Sequence, residues 1–149
     1  MRRTGNESPR AFVGTTDIQQ QLDNVQNQTA LSRYYHAADL LVLPSVHSET
    51  WGLVVNEALH HGVPAVVSEA VGCAPDLIEP GLTGEVFETG SVESLRAALQ
   101  RAAALVDRRD VRDACRARVA DYSVERAARG IAEAYDAAAS PERRVVAGA

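Results

Sequence analysis

A four-residue apolar run, Leu40-Leu41-Val42-Leu43, stops against Pro44 with no polar residue alternating inside it. A strand that faces solvent on one side alternates apolar and polar residues. An unbroken run suits a strand buried on both faces, as in a parallel sheet covered by helices. A second run, Ala65-Val66-Val67-Ser68, follows Gly62 and Pro64. Between the two lies a helical pattern that Gly62 can end in the left-handed cap position and that Pro64 cannot continue. Strand, helix, strand at this spacing predicts a βαβ unit, and so an α/β fold.

The flanking chain extends the alternation. Leu31, Tyr34, Tyr35 and Ala38 recur at helical spacing, with Ser32 and Arg33 on the polar side. After the second run, Val71-Gly72-Cys73-Ala74-Pro75 reads as a loop and Asp76-Leu77-Ile78 as one helical turn. Pro80-Gly81-Leu82-Thr83-Gly84 forms a turn that feeds Glu85-Val86-Phe87, a short edge strand. Ser91 is a helix cap for an apolar stripe through Val92, Leu95, Ala98, Leu99, Ala102, Leu105 and Val106. A second helix is expected over residues 110–120. A third starts at Ser123, with Val124, Ala127, Ile131 and Tyr135 as its buried face, and Ser140-Pro141 ends it. Residues 1–10 read as a polar, disordered tail, residues 140–149 as a C-terminal tail, and residues 11–139 as the folded domain. Ala11-Phe12-Val13-Gly14 suits a short buried strand, and residues 17–22 a helix.

The chain of 149 residues fits one ordinary domain. A net charge of −5, with 15 basic residues that are all Arg, argues against a nucleic-acid partner. Arg clusters between Arg96 and Arg129, interleaved with acids as on a solvated helical face. Cys73 and Cys115 are too far apart in sequence for a metal-ligand motif and read as reduced cytosolic thiols. The residues after Met1-Arg2-Arg3-Thr4-Gly5 are polar, unlike a secretion signal.

The segment between the apolar runs carries the chemistry: Glu49-Thr50-Trp51-Gly52-Leu53-Val54-Val55-Asn56-Glu57. It reads as a strand exit, a short loop carrying Glu49, and a helix opening near Gly52 and running to about His61. A helix start offers unpaired backbone N–H groups and a positive dipole end, which suit phosphate. Carboxylates on either side accept hydrogen bonds from vicinal diols. Eight helical residues advance about 12 Å, comparable to the span from a ribose to a sugar across a diphosphate. Gly52 places no Cβ between the backbone and an approaching phosphate. Each residue also has a plain alternative. Glu49 reads equally as a first-turn acid favoured by the helix dipole, Glu57 as a solvated helix residue, and the Trp51 side chain as core packing. His47 stands in the loop where it can line a site. His60 and His61, adjacent on a helix, point about 100° apart and do not chelate together. Cys73 has no evident base to make it a nucleophile.

The segment from Tyr35 to Ser45, the Glu49-to-Ala58 segment with two Glu separated by seven residues, and Gly62-Val63-Pro64-Ala65-Val66-Val67 together resemble the family 4 glycosyltransferases. Gly72, Asp76-Leu77-Ile78 and Gly81-Leu82-Thr83-Gly84 continue the likeness, and Asn27-Gln28-Thr29 resembles an Asn-Gln-Ser element of the branch with Glu-Thr-Trp-Gly motifs. Gly72-Cys73 stands where many relatives have Gly-Gly. The resemblance covers residues 27–136 and implies a retaining, nucleotide-sugar-dependent enzyme of the GT-B fold. It implies a Rossmann-like parallel sheet with flanking helices, the incomplete C-terminal half of such an enzyme, followed by C-terminal helices. By that resemblance Glu57 binds the ribose diol, and Glu49 contacts the donor sugar and steadies charge at the anomeric carbon. The backbone N–H groups of Trp51, Gly52, Leu53 and Val54 hold the diphosphate, with Thr50 beside them. No metal and no cofactor are implied. The partners implied are a nucleotide-sugar donor and a glycan or glycolipid acceptor. The implied setting is bacterial polysaccharide or glycolipid synthesis, cytoplasmic, with room for peripheral association at the inner membrane.

The resemblance reaches only the later part of the donor domain. The acceptor domain and the Arg and Lys that neutralise the diphosphate in the family have no counterpart, and Arg2, Arg3 and Arg10 match no such motif. Phe12-Val13-Gly14 is either the strand that precedes a helix, with the next strand reduced to the region of Val25, or that next strand itself, followed by an insertion. Two functional readings stand: a donor-site segment, a gene fragment or one piece of a split enzyme that pairs with a separate acceptor-domain chain, or a catalytically inactive interaction module of the same fold. In either case the chain by itself is expected to show no transferase turnover.

Overall fold

The structure, a computed structural model, describes residues 11–13, 28–47 and 49–139. The expected tails and the expected helix at residues 17–22 lie outside these. The chain divides into two compact units, Met1–Val119 and Ala120–Ala149.

The first unit is built on a four-stranded parallel sheet: β1 (Ala11–Val13), β2 (Leu40–Leu43), β3 (Ala65–Ser68) and β4 (Gly84–Phe87), in that spatial order. Both apolar runs are strands buried along their full length, as unbroken runs require. Leu41, Val42 and Leu43 stand opposite Ala65, Val66 and Val67. β1 pairs directly with β2, Phe12 opposite Leu41. That is the arrangement expected if Ala11–Val13 is itself the neighbouring strand.

Helices α1 (Gln28–Ala37), α2 (Leu53–His60) and the single turn α3 (Ala74–Leu77) connect successive strands. α2 ends as its residues dictate. Gly62, at φ 76°, donates to Leu59 O at 2.8 Å, and Val63 N donates to Ala58 O at 2.9 Å. Helix α4 (Val92–Ala102) starts at Ser91, whose hydroxyl accepts from Ser94 N at 3.2 Å, and packs against β4 and β3. Its apolar stripe departs from expectation at both ends. Val92, the first residue after the cap, is 79% exposed. Beyond Ala102 the chain tightens into a 3-10 turn, Ala103–Leu105, in which Leu105 is buried. In α1, Tyr34 is exposed while Tyr35 is buried.

Helix α5 (Arg109–Val119) buries Val111, Cys115 and Val119, spaced by four, and packs on α2. The edge strand β4 holds a buried carboxylate. Glu85 accepts from Gly81 N at 3.0 Å and from Arg101 Nε at 2.8 Å, so its charge is matched where desolvation would otherwise expel it.

The second unit contains α6 (Val124–Ala139), in which no residue is buried. Val124, Ile131 and Tyr135, expected as a buried face, are exposed. Helical periodicity determines that these residues share one side, but supplies nothing to cover it. Among the described residues no helix is long and apolar enough to cross a membrane.

Candidate functional site

The loops leaving β2 and β3 are tied together. Ser68, the last residue of β3, donates its hydroxyl to Ser45 O at 2.6 Å. Further along, Glu49 N donates to Ala70 O at 2.9 Å, Gly72 N to Glu49 O at 2.9 Å, and Cys73 N to Trp51 O at 2.8 Å. Glu49 and Val71 thus form a parallel bridge that prolongs the sheet beyond its strands. The loop carrying Glu49 lies at the carboxyl ends of β2 and β3, where open α/β sheets bind their ligands. Gly72 makes this closeness feasible, since a Cβ there would lie 2.3 Å from Thr50 O. The nearby Gly-Cys pair therefore keeps the glycine that the backbone needs.

Gly52 caps α2 in the left-handed region, at φ 97° and ψ 58°. Its glycine requirement has a different origin from the one expected. A Cβ on Gly52 would point into the protein, 2.9 Å from Val71 Cγ1 and 3.4 Å from both Cys73 Sγ and Leu43 Cδ2. Gly52 is needed for its backbone conformation and for packing against the following loop, not to clear a path for phosphate. Being glycine, it also offers no side chain to cap the helix. The first backbone bond of the helix is Val55 N to Gly52 O at 2.9 Å, so the amides of Leu53 and Val54 precede any intrahelical acceptor.

Around this start Thr50 and Leu53 are exposed, and Trp51 and Val54 are half-buried against the core. The side chain of Trp51 thus packs, while its carbonyl ties the two loops. Glu49 is half-buried and lies before the helix. No acid occupies the first turn of α2, which removes the reading of Glu49 as a dipole-favoured first-turn residue. It also corrects the helical rise expected between the two carboxylates. Only the residues from Leu53 onward are helical, so loop and helix together set the span.

Glu57 sits on the second turn of α2, half-buried, and accepts a hydrogen bond from Tyr35 Oη at 2.7 Å. The Tyr35 side chain is 2% exposed. Burial, and then the adjacent Glu57 carboxylate, hold the phenol well above its ordinary pKa, so it remains a proton donor. Its ring stacks on His61, with centroids 5.3 Å apart and planes 15° apart. His36 and His60 meet His61 edge-on at 4.7 and 5.7 Å. The pKa of His61 is lowered by burial first and by these two imidazoles next. In the sequence Tyr35 stands in an apolar stripe and opens the segment that carries the family resemblance, without a site role. A phenol on an inward-facing stripe was the available signal, since a buried phenol demands a partner.

His47 is exposed in the loop after β2. Cys73 is buried beneath Gly52, its thiol facing Gly52 O at 3.8 Å, and burial pushes it up to about 11. Such a thiol is a structural filler and not a nucleophile.

A family described as "Glycosyl transferases group 1" matches residues 13–119. Over 143 residues the chain is 35% identical to a D-inositol 3-phosphate glycosyltransferase of Geodermatophilus obscurus, covering 91% of this chain and 30% of that protein. A 66-residue match, 47% identical, relates it to a sulfoquinovosyl transferase of Arabidopsis thaliana, over 42% of this chain and 12% of the relative. Among solved structures, sucrose-phosphate synthase from Thermosynechococcus elongatus superposes with a TM-score of 0.64 at 27% identity, over 87% of this chain and 39% of that one. A lipopolysaccharide outer core galactosyltransferase in its apo form shares the fold, with a TM-score of 0.56 at 15% identity, over 83% of this chain and 48% of that one. The chain thus spans about a third of the length of such a curated relative.

Proposed function

The chain belongs to the group 1 glycosyl transferases, and on that premise we propose that residues 49–57 form the donor side of a nucleotide-sugar site used for sugar transfer with retention. Glu57 takes the ribose diol of the nucleotide, the first-turn amides of α2 take the diphosphate, and Glu49 faces the transferred sugar. In the reaction the bond from the anomeric carbon to the distal phosphate oxygen breaks, an acceptor hydroxyl oxygen replaces it on the same face, and the hydroxyl proton passes to the departing diphosphate. Negative charge gathers on the departing phosphate, where fixed N–H dipoles are most effective. Positive charge gathers on the sugar ring, beside the Glu49 carboxylate.

The observation that carries this reading is the bridge between the two loops. It sets Glu49 and the uncapped start of α2 at the carboxyl edge of the sheet, which supports assigning the sugar to the one and the diphosphate to the other. Glycan and glycolipid acceptors, and work at the cytoplasmic face of a membrane, belong to the same proposal. The relatives named for inositol phosphate and for sulfoquinovose suggest hydroxyl-rich acceptors or donors.

Calorimetric titration with UDP, GDP and ADP tests it. The chain is expected to bind at least one of them, and Glu57→Ala to weaken that binding about tenfold or more. Equal affinity in the two proteins defeats the assignment of Glu57.

A further inference from the structure

A carboxylate that recognises a diol must present its oxygens in a fixed direction. A glutamate on a helix surface otherwise gives up considerable rotamer freedom when it does so. Glu57 is not such a free side chain. Its Oε2 accepts from Tyr35 Oη at 2.7 Å across 22 residues of sequence. The donor is itself packed on its neighbours, because Tyr35 is buried and its ring is stacked on His61. An ionised carboxylate has about four acceptor positions. One hydrogen bond to Oε2 orients the group and leaves Oε1 available to a ligand.

We infer that Tyr35 is a positioning residue for nucleotide recognition, holding the Glu57 carboxylate so that its remaining oxygen meets the vicinal hydroxyls of a ribose. This rests on the assignment of Glu57 proposed above. It extends the site from the motif loop to α1. The effect is selective. The Tyr35 hydroxyl reaches the ligand through Glu57, so it matters for a ribonucleotide and not for a nucleotide that lacks the hydroxyls Glu57 reads.

The test compares ribonucleoside diphosphates with their 2′,3′-dideoxy counterparts in the wild type, Tyr35→Phe and Glu57→Ala. Affinities are read by calorimetry, or by chemical-shift titration where binding is millimolar. Tyr35→Phe keeps the ring against His61 and removes only the hydroxyl, and a thermal melt of each variant monitors folding. The wild type is expected to prefer the ribonucleotide. Glu57→Ala should abolish the preference, and Tyr35→Phe should cut it by about three- to tenfold through weaker ribonucleotide binding alone. A preference that Glu57→Ala destroys and Tyr35→Phe leaves intact overturns the role of Tyr35 while sparing that of Glu57. Equal weakening of both ligands by Tyr35→Phe overturns it too, since that is the mark of a purely structural contact. A preference untouched by Glu57→Ala, or no binding of any nucleotide, removes the Glu57 assignment and this inference with it.

Discussion

Gly72 donates its amide to the carbonyl of Glu49 at 2.9 Å, and this bond makes two loops from different βα units behave as one piece of structure. The acidic residue in front of α2 is thereby placed by the strand that follows the helix. Its position depends on a glycine 23 residues away in sequence, as the numbering of the two residues shows.

Gly72→Ala is expected to break that arrangement. The added Cβ would lie 2.3 Å from Thr50 O, which is backbone and has little room to retreat. The loops must separate, losing the bridge and its hydrogen bonds, at a cost of roughly 2 kcal/mol or more. Urea denaturation measures the loss. If the site is as proposed, nucleotide affinity falls in parallel, and an Ala variant with wild-type stability contradicts the close approach.

Arg101→Ala strands a buried charge. Glu85 is 4% exposed and keeps only the Gly81 amide once the guanidinium is gone. Destabilisation by about 1–3 kcal/mol is expected, nearer the low end because Arg101 is half in solvent. Adding Glu85→Gln should recover part of it. A double-mutant cycle with no coupling between the two positions would show that the pair contributes nothing.

Both cysteines should be silent in the folded protein. Burial pushes Cys73 up to about 11 and Cys115 up to about 12, and both side chains are fully enclosed. At pH 8 the thiolate population of either is far below that of a free cysteine. Ellman's reagent is expected to label neither under native conditions and both in guanidinium chloride. Rapid native labelling of one equivalent would contradict the burial of that residue.

Acid should weaken the packing around Tyr35. The folded pKa of His61 lies below its unfolded value, chiefly through burial, so the unfolded state binds the proton more readily. Stability from this residue is therefore complete above the ordinary histidine range, and is lost as pH falls through about 6.5 and below. Melting temperatures measured from pH 7.5 to 5.5 should decline. His61→Phe, which can keep the stack on Tyr35 without a proton to gain, should flatten that decline. An unchanged slope in this variant assigns the acid sensitivity elsewhere.

Much of the fold was readable along the chain. The runs at Leu40–Leu43 and Ala65–Ser68 announce buried parallel strands because nothing in them suits water, and Ser91 and Gly62 mark helix ends by local chemistry. The motif from Glu49 to Glu57 is equally local, and it pointed to the family that the comparisons then identified. Tertiary structure alone decided how those residues are held. It placed Glu49 ahead of the helix in a bridge to Val71, directed the missing Cβ of Gly52 toward Val71 and Cys73, and joined Tyr35 to Glu57 and Arg101 to Glu85. It also left the Val124, Ile131 and Tyr135 face of α6 exposed. The division has one physical cause. Propensity, capping and periodicity act over a few neighbouring residues and are written into the order of the chain. A hydrogen bond across 22 residues, or a close approach between two loops, exists only once the sheet has brought those segments together.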